Sequence, residues 1–168
     1  MPFIWSVIYA AVLGILSHLI GEALPRHWFN PDRFPFASFK WEQGGRIYET
    51  KFGIRAWKDK MPDMSRVMKD MLPKRIPQGA GEQDIDALII ETCVAEFVHV
   101  ALCLLAPGIY TFWDNRNGVL LTLVYIFCNI PFILIQRYVR PQLVTLADRM
   151  RAREARRRAA EDATYAET

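Results

Sequence analysis

Three apolar blocks, each long enough to cross a bilayer and set apart by charged stretches, constrain this chain of 168 residues more than any other feature. From Pro2 to Gly21 the only side chain that can carry a cation is His18. A second block runs from about Ala87 to Pro107, and a third, from about Gly118 to Gln136, contains no Asp, Glu, Lys, Arg or His. The pattern predicts an all-α integral membrane protein, one membrane domain over 1–168 with spans at about 3–24, 87–107 and 118–136. Clustering of the apolar residues in blocks argues against a soluble amphipathic fold. The first block lacks a basic flank and is longer than the apolar part of a secretory leader, so it is expected to stay as a span.

The second block, IIETCVAEFVHVALCLLAP over 89–107, carries Glu91, Glu96 and His99. Each ionisable group in hydrocarbon costs about 2.5–3.5 kcal/mol on insertion scales, so such residues face a cavity, a partner or a reaction. At about 100° per residue, Glu91, His99 and Glu96 fall at roughly 0°, 80° and 140°, which sets the imidazole between two carboxylates in one sector of the helix. These three are the candidate catalytic residues. At about 1.5 Å per residue, His18 and Glu22 of the first span, Glu91, Glu96 and His99 of the second, and Asn129 and Gln136 of the third are expected to line one inward-opening pocket. Hydrogen bonding between helices is the bland alternative, adequate for Asn129 and Gln136 but less so for the ionisable trio.

Basic residues orient the chain. Arg26 to Arg75 is dense in Lys and Arg, and the end of the chain carries Arg137, Arg140, Arg149, Arg151, Arg153, Arg156, Arg157 and Arg158, whereas the link 108–117 holds only Arg116. The positive-inside rule then predicts a multi-pass protein of the cell membrane, with the N-terminus outside and both the middle segment and the C-terminus in the cytoplasm. The middle segment, 25–83, holds six of the ten prolines and three of the five tryptophans, Trp28, Trp41 and Trp57. It reads as a cytoplasmic cap in the headgroup layer. Within it Met64, Val67, Met68 and Met71 share one helical face and predict an interfacial helix. Pro141 is expected to interrupt the third helix, leaving a basic surface helix in the tail 141–168. Its arginines suit anionic lipid at the inner leaflet rather than nucleic acid.

Other motifs carry less. Glu96 and His99 have the E-x-x-H spacing of helical metal sites, but a di-metal centre needs a second copy and more carboxylates, so no metal is expected. His27 and Asp32 have an H-x4-D spacing with Pro31 inside it and read as a chance pair. Cys93, Cys103 and Cys128 lie in the spans without a disulfide or metal spacing and read as packing residues. No phosphate-binding loop, dinucleotide fingerprint or G-x-S-x-G elbow is present.

Three blocks read together carry a resemblance: WEQGGRIYETKFGIRAWKDKMPD (Trp41 to Asp63), IIETCVAEFVH (Ile89 to His99) and NIPFILIQRYVRPQL (Asn129 to Leu143). In order, spacing and total length the chain resembles the glycosyl-4,4'-diaponeurosporenoate acyltransferase family of staphyloxanthin-type carotenoid synthesis. It departs from that family's pattern at Val139 and Gln142. The resemblance implies transfer of a fatty acyl group to a hydroxyl of a membrane-embedded glycosylated carotenoid or similar lipid. No resident cofactor is expected, the acyl donor being an acyl-CoA or another thioester used as co-substrate.

The residues are compatible with that reaction. His99 would take the proton of the acceptor hydroxyl while Glu96 or Glu91 orients the imidazole, without an acyl-enzyme. Arg137, Asn129 or Gln136 would stabilise the oxyanion, and Lys58, Lys60 or Arg55, beside Trp57 in the cap, would hold donor phosphates. His18 completes the expected substrate-binding set. Two other classes stay open on sequence alone: a non-enzymatic membrane lipid-binding or scaffold protein, and a proton-coupled carrier, for which three spans are few.

Overall fold

The computed structural model describes residues 1–61 and 81–166, and it is helical throughout its regular elements. Helix α1 covers Pro2–Ala23, with Pro2 in its first turn where a missing N–H costs nothing. The cap follows as 3-10 turns at Arg26–Trp28 and Lys40–Glu42, short helices α2 (Arg46–Phe52) and α3 (Ile54–Trp57), and a 3-10 turn at Lys58–Lys60. Helix α4 covers Glu82–Leu105 and runs into a 3-10 turn at Ala106–Thr111, and α5 covers Arg116–Ala166. Three helices, Pro2–Ala23, Glu82–Thr111 and Arg116–Tyr165, are long and apolar enough to cross a membrane, in agreement with the three expected spans. The expected interfacial helix of Met64, Val67, Met68 and Met71 lies outside the described residues.

The framework is the antiparallel hairpin of α4 and α5. At one end Ile85 and Ile89 pack on Leu143 and Ala147, and Arg151 pairs with Glu82 and Asp86. Farther along, His99 meets Asn129 and Phe132. Helix α1 lies against this hairpin through Gly21, where an added Cβ would stand 3.1 Å from the Val98 side chain. At the other end of α1 the Tyr9 hydroxyl donates to the Leu105 carbonyl at 3.1 Å, and its ring occupies the space a side chain at Gly108 would need. Much of the remaining surface of α1 is apolar and exposed, with Trp5, Ile15 and Leu19 outward, as suits contact with hydrocarbon.

The expected break at Pro141 is absent, and α5 continues through both Pro131 and Pro141. A proline inside a helix removes one hydrogen bond and costs about 3 kcal/mol, so something must hold the helix on both sides of it. Here Arg137 and Arg140 are anchored before it, and Leu143 and Ala147 after it, on the same partner helix. Side chains also cap backbone near the proline: Gln142 Nε2 donates to the Tyr138 carbonyl and Thr145 Oγ1 to that of Pro141, at 2.9 and 2.8 Å. The tail is therefore helical, as expected, but is one continuous helix with the third span.

The cap is fastened to α5 by close backbone approach. Gly45 has φ +89°, and a Cβ there would stand 3.0 Å from the Tyr138 carbonyl oxygen; Gly44 has φ +65° but open space around it. Around this contact Tyr48 and Ile54 of the cap bury against Tyr138, with Trp57 and Leu134 at the edge. Gly44→Ala is expected to cost about 1 kcal/mol from its left-handed backbone alone, and Gly45→Ala about 2–3 kcal/mol because the carbonyl contact adds to the strain. Thermal unfolding of the two variants in detergent checks this ranking.

Candidate active site

Two arginines one turn apart on α5, Arg137 and Arg140, turn toward α4 and the cap. Arg137 donates through Nε to Glu96 Oε1 at 2.8 Å, through Nη1 to Glu42 Oε1 at 2.7 Å, and through Nη2 to the Pro35 carbonyl. Arg140 donates through Nη2 to Glu96 Oε2 at 2.5 Å and to the Thr92 carbonyl at 3.0 Å, through Nε to Thr92 Oγ1 and through Nη1 to the Phe36 carbonyl. The Tyr48 hydroxyl donates to Glu42 Oε1, and Glu42 Oε2 accepts from the Phe39 backbone N–H at 2.6 Å. Burial, with the neighbouring Glu42 carboxylate second, pushes the Tyr48 phenol up, which keeps it a donor. Each guanidinium also lies on a ring, Arg137 Cζ 4.7 Å from the Phe39 centroid and Arg140 Cζ 5.6 Å from that of Phe36.

The result is two carboxylates and two guanidinium groups in a dry junction of three parts of the chain. Glu42 is 1% exposed, Arg140 3% and Glu96 5%. Charges at such burial are tolerated when they balance and when their remaining hydrogen-bonding positions are filled. Breaking one member strands its partner, at a cost of about 3–5 kcal/mol.

Beside this junction sits a second pair. Asn129 Nδ2 donates to the Tyr125 carbonyl at 2.9 Å, so its Oδ1 is the atom that faces His99 Nδ1, also at 2.9 Å. That pattern assigns the proton to Nδ1 and leaves the Nε2 lone pair available. The imidazole stacks on Phe132, centroids 4.6 Å apart and planes 9° apart, which fixes the ring plane. Nε2 has no hydrogen-bond partner among the described residues. His99 lies one helical turn beyond Glu96 along α4, a rise of about 4.5 Å.

The sequence expectation set His99 between Glu91 and Glu96. The structure gives each carboxylate an arginine instead: Glu91 accepts from Arg26, Nε to Oε1 at 2.7 Å, and Glu96 is divided between Arg137 and Arg140. The physical reason is that a guanidinium offers a carboxylate several charge-assisted N–H donors, whereas the His99 Nδ1 faces Asn129. Arg26 also donates to the carbonyls of Gly21, Glu22 and Leu24, closing the end of α1. His18 is half-buried on α1 and Glu22 exposed, and neither is bonded to the other site residues among those described. Gln136 is half-buried next to Arg137. In the cap Trp57 packs on the Tyr48–Tyr138 cluster and donates to the Phe52 carbonyl, and Lys58 pairs with Asp59. Among the described residues no group of His, Cys, Asp and Glu is arranged to hold a metal ion.

Sequence reasoning missed Glu42, Tyr48, Thr92, Arg140 and Arg26. The signal for Arg140 was present: Arg137 and Arg140 share a face at i, i+3, and Glu96 in an apolar span demands a cation. Glu42→Gln and Arg137→Met are each expected to destabilise the protein by about 3 kcal/mol, whereas the double variant loses about 1.5–3 kcal/mol less than their sum. Denaturation of the four proteins of this cycle in one detergent measures the coupling.

The chain matches the family model described as glycosyl-4,4'-diaponeurosporenoate acyltransferase over residues 25–149. Glycosyl-4,4'-diaponeurosporenoate acyltransferases from a bovine strain of Staphylococcus aureus and from strain Newman are each 30% identical to it over 131 residues, which is 76% of this chain and 76% of the relative. No solved structure matches it. The matched stretch contains the whole charged junction and the His99–Asn129 pair, and it covers most of the chain. On that match the protein belongs to the glycosyl-4,4'-diaponeurosporenoate acyltransferase family and is an enzyme.

Proposed function

We propose that the protein moves a fatty acyl group from a thioester donor to a hydroxyl of a glycosylated carotenoid or similar membrane lipid. Family membership carries the reaction class, and a base of defined tautomer beside a junction that holds two arginines supports the chemistry. The hydroxyl oxygen attacks the thioester carbonyl as His99 Nε2 takes its proton. Collapse of the tetrahedral intermediate forms the ester and expels the thiolate, which takes up the proton from His99. Asn129 holds the imidazole in the tautomer this requires.

Arg137 fits the oxyanion role. A guanidinium has five N–H groups, and three of those of Arg137 are used by Glu96, Glu42 and Pro35. Glu96 positions Arg137, and Glu91 positions Arg26, rather than acting on His99 directly. Gln136, Trp57, Lys58 and His18 are assigned to donor and acceptor binding in this reading, with Gln136 adjoining Arg137 in α5 and Trp57 packed on the Tyr48–Tyr138 cluster. In this reading the cap and the C-terminus lie in the cytoplasm and the N-terminus outside.

His99→Ala is expected to lower product formation by about 10²–10⁴-fold with expression unchanged, as for loss of a general base. His27→Ala should leave it near wild type. Mass spectrometry of lipid extracts from cells with and without each variant reads the lipid that gains one acyl mass. Near-normal product from His99→Ala would remove the base assignment, and identical extracts with abundant protein and substrates would remove the enzyme reading. For topology, single cysteines replacing Lys58 and Arg156 in a background lacking Cys93, Cys103 and Cys128 should both react only with a reagent admitted to the cytoplasmic side.

A further inference from the structure

Helix α5 outlasts its partners. The beginning of α4 is level with Arg151, which pairs with Glu82 and Asp86, and no described element accompanies α5 from there to Ala166. On this free stretch the charges are sorted by side. At about 100° per residue Arg149, Arg153 and Arg156 fall at roughly 0°, 40° and −20°, one narrow stripe, while Glu154, Glu161 and Asp162 fall at roughly 120–220°. All three arginines are exposed and have no ion-pair partner among the described residues. Arg157 and Arg158, off the stripe, are paired with Glu154 and Glu161. Arg149 is the last residue of the family match, and Arg153 and Arg156 lie beyond it.

Distance separates the stripe from lipid. Arg149 and Arg156 follow Gln136, the end of the apolar span, by 13 and 20 residues, about 20 and 30 Å along a continuous helix. The headgroup region adds only about 5–7 Å to the hydrocarbon on each side, and charge is screened over about 8 Å at physiological salt. Three cations held that far out face an aqueous partner. The candidate base lies level with Phe132, about 25 Å from Arg149 along α5, so a donor held at the stripe reaches the base only through an extended arm.

We propose that the Arg149–Arg153–Arg156 stripe docks an acidic carrier protein that bears the acyl group as a thioester on a phosphopantetheine arm, the arm reaching down to the site. The donor role rests on the acyltransfer reading above; the docking itself does not. The test is binding of acylated carrier protein to the full-length protein in nanodiscs of zwitterionic lipid without acceptor. Wild type should bind saturably, and binding should weaken as salt rises. Arg153→Glu with Arg156→Glu should weaken it at least about tenfold, whereas Arg157→Glu with Arg158→Glu, an equal change in charge off the stripe, should change it about twofold or less. Circular dichroism verifies that each variant keeps its helix. Absent binding, or binding indifferent to the stripe, overturns the proposal. So does a stripe variant that loses only its association with anionic vesicles, which would assign these arginines to lipid. Intact docking with no acylated lipid in extracts would count against the acyltransfer reading and leave the docking in place.

Discussion

Everything above the membrane-spanning hairpin depends on four charges that neutralise one another out of water. Glu96 of α4, Arg137 and Arg140 of α5 and Glu42 of the cap form one balanced set. None of the three parts could carry its own share alone, because a buried carboxylate or guanidinium without its counterion is prohibitively desolvated. The cap, built from short turns with little apolar core of its own, is thereby committed to one position on the hairpin. The same set helps keep α5 helical through Pro141 by fixing it to α4 immediately before the proline.

The acyltransfer reading draws on where this junction lies. It sits where the apolar part of α5 ends, beneath a cap with Trp28, Phe34, Trp41 and Phe52 exposed on its outside. A lipid acceptor kept in the bilayer and a water-borne donor would meet at that level. His99, one turn deeper, is held by an amide and a ring rather than by a carboxylate. Its Nε2 is thereby presented in apolar surroundings, which suits proton removal from a hydroxyl.

Much of this was legible in the sequence because hydrocarbon imposes coarse rules. Three apolar runs long enough to cross a bilayer read as spans, and Glu91, Glu96 and His99 stood out because the bilayer makes them expensive. The pairings were not legible, since Arg26 and Glu91 are 65 residues apart and Glu42 and Arg137 are 95 apart. Helical angles place residues on one helix but do not say which neighbour supplies the counterion. Glu42 was hidden for another reason: in a segment rich in charge, nothing local distinguishes a carboxylate that becomes buried. Pro141 misled because helix-breaking is a local rule, and here contacts on both sides of the proline outweigh it.

The central chemical claim is direct transfer by a base, with no acyl group ever held by the protein. Intact-protein mass spectrometry of the purified enzyme, incubated with an acyl thioester and then with acceptor, tests this most directly. Direct transfer predicts an unmodified protein mass in the absence of acceptor and an acylated lipid once acceptor is added. A protein that gains one acyl mass, on Cys93 or elsewhere, and passes it to the acceptor would contradict the claim.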